Sequence, residues 1–96
     1  MTNEIHPYEM HPPGGGGFTC FDAGDLVALP LIHLNKATLR GTSGQRIALE
    51  FGTVSAVVEG DGMTELFGHL LNGQVKTLRR GQRGNCVIRA IQVIDT

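Results

Sequence analysis

Six side chains with metal-binding or nucleophilic chemistry stand out in this 96-residue chain: His6, His11, His33, His69, Cys20 and Cys86. A zinc site needs three or four such ligands converging at ~2.0–2.3 Å on one point, usually from a CxxC frame or from histidines one helical turn apart. The spacing supplies neither. His6 and His11 are five residues apart on a proline-interrupted stretch, and the two cysteines are 66 residues apart. No metal site and no cofactor is expected. The first two histidines read as solvated, His33 as the end of an apolar strand, and His69 as the flank of a helix stripe. A catalytic thiol needs a base and an orienting group beside it. Cys20, between Thr19 and Phe21, and Cys86, at the entry to an apolar strand, read instead as small hydrophobes. Asp22, Asp25, Glu59 and Asp61 cluster at turns, where capping and turn roles account for them. The balance leans away from an enzyme.

Glycine and arginine raise two further chemistries. Gly14 to Gly17 resembles a phosphate loop only in composition, because no Lys-Ser/Thr pair and no helix follows. A flexible linker is the reading. The segment "KTLRRGQRGNCVIR" carries Lys76, Arg79, Arg80, Arg83 and Arg89 within 14 residues. Guanidinium groups grip phosphates and carboxylates in a forked geometry, so this is the candidate anion or nucleic-acid contact. Two features weigh against nucleic acid: the segment has no aromatic for base stacking, and the net charge of the chain is −1. Arg79 and Arg80 are adjacent, which on a strand sends them to opposite faces.

The elements that must carry these residues follow from pattern. Residues 1–17, with Pro7, Pro12, Pro13 and the glycine run, read as an N-terminal arm, and residues 18–96 as one globular domain. Ile5, Tyr8 and Met10 are the arm side chains with apolar surface for a contact, which in an oligomer would lie across a neighbour. Leu26 to Leu34 is apolar but interrupted by Pro30, which suits an edge strand or two short strands. Ile47, Leu49 and Phe51 alternate with Arg46, Ala48 and Glu50, and Val54, Ala56 and Val58 continue the pattern after a Gly52–Thr53 turn. That is an antiparallel meander. Met63, Leu66, Phe67, Leu70 and Leu71 then fall on one helical stripe, predicting a helix over 62–72 with Asp61 as N-cap and Gly73 as stop. Gly68 inside it suggests close approach of the sheet. Two strands close the chain, the last apolar on both faces and so either central or covered by another subunit.

The sum is a β-rich α+β domain: an antiparallel sheet or small curled barrel of about 5–6 strands, with one helix inserted before the last two. Hydrophobic residues make up 41% and charged residues 18%, a balance that argues against a disordered chain. A chain of this length buries only about 60–65% of its unfolded surface, which favours association. A cytoplasmic setting with reduced thiols is expected, because no secretory leader pattern and no apolar run of membrane-spanning length is present. The expected function is a small non-catalytic binding or interaction domain that self-associates, as a dimer first, through a sheet edge or the arm. The alternatives are anion or nucleic-acid binding through the basic segment, and a small-molecule or enzymatic pocket between Phe67 and the sheet near His33 and His69.

Overall fold

The alternation of Ile47, Leu49 and Phe51 dictates a strand buried on one face, and in the computed structural model these three side chains are indeed in the core. The structure describes residues 6–95. In chain order the elements are β1 (Tyr8–Met10), β2 (Phe18–Ala23), β3 (Asp25–Pro30), a 3-10 turn (Leu31–His33), β4 (Leu34–Arg40), β5 (Arg46–Phe51), β6 (Val54–Asp61), α1 (Thr64–Leu71), β7 (Val75–Leu78), β8 (Gly81–Arg83) and β9 (Cys86–Asp95). The α+β class, the dominance of antiparallel pairing and the single inserted helix are as the pattern implies. The strands, however, number nine and form two sheets rather than one. One sheet has the order β1-β7-β2-β3, the other β4-β5-β6-β9-β8, and neither closes into a barrel. β8 arises within what reads as a loop, so three strands follow the helix.

The two sheets share one aliphatic core. Phe21 on β2 meets Phe51 on β5 edge to face, ring centres 5.9 Å apart, a geometry that aligns ring edge with ring face. Met63, Leu66 and Leu70 pack α1 onto the same core. The helix ends as the sequence implies. Gly73 has φ +70°, and the N–H groups of Gly73 and Gln74 donate to the carbonyls of Leu70 and His69, which satisfies the last turn. Its start and its glycine differ from expectation. Asp61 is not the N-cap; it ends β6, and its carboxylate accepts from the Ser43 hydroxyl at 2.5 Å and the Gly62 N–H at 2.9 Å. Gly68 is exposed, with open space where a β-carbon would stand, so it brings no sheet close.

The arm is built into the first sheet. β1 pairs antiparallel with β7, and Pro7 is buried. β2 pairs in parallel with the same β7 through Cys20–Thr77 and Phe21–Leu78, while the buried Thr19 hydroxyl donates to the Val75 carbonyl at 2.9 Å. Tyr8 is half-buried against the chain's own core and Met10 is 41% exposed. Ile5 lies outside the described residues. No helix among the described residues is long and apolar enough to cross a membrane.

A candidate strand-binding groove

β9 is ten residues long, but its neighbour β8 is only three, and their pairing stops at Gly81–Ile88. From residue 89 to 95 that side of β9 has no strand partner among the described residues. Across from it, β2 also outruns its neighbour. Pairing with β7 ends at Phe21–Leu78, which leaves Asp22 and Ala23 without a strand on that side. The two unpartnered edges face one groove of about 960 Å³ at the seam where the sheets fail to close. Three short stretches line it: 22–24, 79–81 and 89–92.

A bulge supplies one of the lining residues. β6 and β9 pair as Glu59–Ala90 and then Gly60–Ile88, so Arg89 is an extra residue on β9 with no opposite number. The phase of the strand shifts there, and Ile88 and Ile91 both become core residues. Regular alternation places them on opposite faces, which is the expectation this bulge corrects. Bulges of this kind re-aim a side chain at a sheet margin, and Arg89 lines the groove. Arg79 and Arg80 follow the end of β7 at Leu78, where strand alternation no longer applies. Both residues line the same groove, while the Arg79 guanidinium reaches Glu9 on β1.

Of the five basic residues singled out by the sequence, the groove therefore gathers Arg79, Arg80 and Arg89. Lys76 is exposed at a register shift between β7 and β1. Arg83 lines a separate groove with Tyr8, Glu65 and Cys86. The charges are not equivalent. Arg79 Nη2 donates to Glu9 Oε1 at 2.7 Å, whereas Arg80 and Arg89 have no ion-pair partner among the described residues. Asp22 is the one carboxylate in the lining. Sequence patterning reads Asp22 only as a turn residue and does not mark Ala23, Gly24, Gly81, Ala90, Ile91 or Gln92 as groove residues. The one signal for the last three is the unusual length of the last apolar run.

The remaining polar groups are separately engaged. His11 Nε2–H donates to the Phe18 carbonyl at 2.7 Å, and its ring stands edge-on to Phe18. His69 Nδ1 lies 3.1 Å from Gln74 Oε1, with Glu65 one turn back at 3.6 Å from Nε2. His33 ends the 3-10 turn and is exposed. No three His, Cys, Asp or Glu side chains converge on a metal-sized position among the described residues. Both cysteines are free and half-buried. Burial pushes the Cys86 thiol pKa up, with Glu65 adding to it, and burial likewise raises the Tyr8 phenol. Neither group is activated as a nucleophile. No protein-family model, curated protein or solved structure matches the chain.

Proposed function

We propose that this is a small non-catalytic binding domain that captures an extended, carboxylate-bearing protein segment as an added strand along residues 89–95. The observation that carries the reading is the pair of unpartnered strand edges, on β9 and on β2, that face a single groove. Backbone N–H and C=O groups at such an edge are strong, unused hydrogen-bonding groups, and an incoming strand satisfies them. Arg80 and Arg89 at the groove make no close ion pair among the described residues, although the Arg89 charge is felt by Asp61, and their positive charge selects carboxylates on the incoming segment. The same arginines support an anion or nucleic-acid reading, but no aromatic side chain lines the groove for base stacking. Two free thiols fit a reducing compartment.

Fluorescence anisotropy tests the reading. A labelled extended peptide of alternating Glu and Val or Thr should bind saturably and more weakly as salt rises. Binding should be lost when alternate peptide nitrogens are methylated, and in the Arg80→Glu/Arg89→Glu chain. Binding that survives N-methylation, or its absence altogether at concentrations where the chain is monomeric, would sink strand addition. Tighter binding of single-stranded RNA than of any peptide would move the assignment to nucleic acid.

A further inference from the structure

Among the described residues, several of the other sheet margins carry protecting features. β1 and β8 are three residues long. β3 begins at Asp25 and ends at Pro30, which has no N–H to offer. β4 carries Lys36 and Arg40 and is interrupted by a register shift at Asn35. These are the devices by which edges avoid unwanted pairing. The second half of β9 presents a seven-residue, proline-free edge whose five middle residues are uncharged, and its sequence, "RAIQVID" from Arg89 to Asp95, has a further property. Laid antiparallel to a second copy of itself and centred on Gln92, it is self-complementary at every position. Arg89 meets Asp95 of the partner copy, Ala90 meets Ile94, Ile91 meets Val93, and Gln92 meets its own counterpart.

Resting on the strand-addition reading, we infer that the segment filling this edge is residues 89–95 of a second copy of the chain, paired antiparallel about a two-fold axis at Gln92. The side chains agree with that register in three dimensions. Ile91 is in the core and Val93 packs against it, so the Ile91–Val93 pairs extend the core face across the axis. Ile94 is 45% exposed and gains cover from the partner's Ala90. Opposite charges sit directly across from each other at both ends, and such cross-strand pairs stabilise a sheet while like charges oppose it. The interface is isologous, the form that closes at two subunits and does not propagate into fibres. It joins the two five-stranded sheets edge to edge.

The register is open to direct test in the full chain. Light scattering should show a mass that rises with concentration from 10.3 kDa to twice that value. Directly opposed residues of an antiparallel pair have α-carbons ~4.5–5.5 Å apart, inside the ~4.4–6.8 Å span of a disulfide. Gln92→Cys should therefore cross-link into a covalent dimer under mild oxidant. Ala90→Cys alone should not, whereas Ala90→Cys/Ile94→Cys should. The unsubstituted chain, which keeps Cys20 and Cys86, is the control and should give no cross-link. Arg89→Asp should weaken dimerisation by roughly tenfold, and Arg89→Asp/Asp95→Arg should restore it. Circular dichroism of each variant separates loss of pairing from loss of fold. A monomer at all concentrations, or cross-linking at 90 alone but not at 92, overturns the proposal. If the monomer still binds the alternating peptide in an N-methylation-sensitive way, strand addition stands and only self-pairing fails. If it binds nothing, both fall.

Discussion

Glu9 and Arg79 lie 70 residues apart in the chain, and their side chains meet at 2.7 Å. The Arg79 backbone N–H also donates to the Pro7 carbonyl, and the His11 N–H to the Gln74 carbonyl, so β1 is held at both ends and by its one acidic side chain. The ion pair is part-exposed, with side-chain exposures of 33% and 48%, so solvent screening limits its worth to about 0.2–1 kcal/mol. Its role is local. Glu9→Gln should leave the global denaturation midpoint nearly unchanged while amide exchange across Tyr8–His11 speeds up several-fold. Unaltered exchange there would mean the backbone bonds alone hold the arm.

Two glycines make a matched pair of opposite sign. A β-carbon on Gly60 would collide with the Val87 carbonyl, a rigid backbone group at the place where β6 passes the bulge of β9. Gly60→Ala should cost more than ~3 kcal/mol or prevent folding, as overpacking against backbone does. Gly68 is exposed within α1 with nothing near its missing side chain. Gly68→Ala should stabilise by about 0.5–1 kcal/mol through helix propensity. Urea denaturation of the two variants reads both. A neutral Gly60→Ala would show that β6 and β9 are less tightly apposed than this.

Acid should act through Asp61. Its carboxylate pKa is lowered, first by the Ser43 hydroxyl and then by the Gly62 N–H. A carboxyl held below its unfolded value, about 3.9, contributes stability that is fully present above that pH and is lost as pH falls through the folded value. Thermal melts of the native chain and Ser43→Ala should therefore differ at pH 7 and converge as pH falls below the ordinary carboxyl range. A gap that stays constant down to pH 2 would assign the effect to packing.

Thiol reactivity gives an independent check on the groove lined by Tyr8, Glu65, Arg83 and Cys86. With burial and Glu65 both raising its pKa, Cys86 should alkylate more slowly at pH 8 in the native chain than in the urea-unfolded one. Glu65→Gln should recover part of the rate. Equal rates in native and unfolded chains would contradict the half-buried placement.

Much of the second sheet and the helix was legible because both are governed by local periodicity. Ile47, Leu49 and Phe51 announce a strand, and the Met63 to Leu71 stripe with Gly73 announces a helix and its stop. The groove was legible only as a list of arginines. What brings Arg79, Arg80 and Arg89 together is a strand that stops at Leu78 and a single extra residue in β9, and neither leaves a composition signal. The arm misled for a related reason. Three residues, Tyr8–Met10, are too few for a pattern, and their partner β7 is more than 60 residues away. Glycine and proline around them report flexibility in isolation, not the pairing that tertiary structure imposes.

The parallel junction of β2 with β7 also fixes an order of events during synthesis. The first three strands leave the ribosome long before residues 75–78 exist to pair with β1 and β2. Until then the β2–β3 hairpin stands alone, and a lone two-stranded hairpin is marginal in water. Phe21 and Leu29, buried in the folded chain, lack their core neighbours on β7 until residues 75–78 are made. The β4–β6 meander, built from neighbours in sequence, can assemble first, while the four-stranded sheet must wait for the slow closure of distant contacts. Lys76 within β7 and Arg79 just after it place charge where it discourages non-native pairing in the same interval.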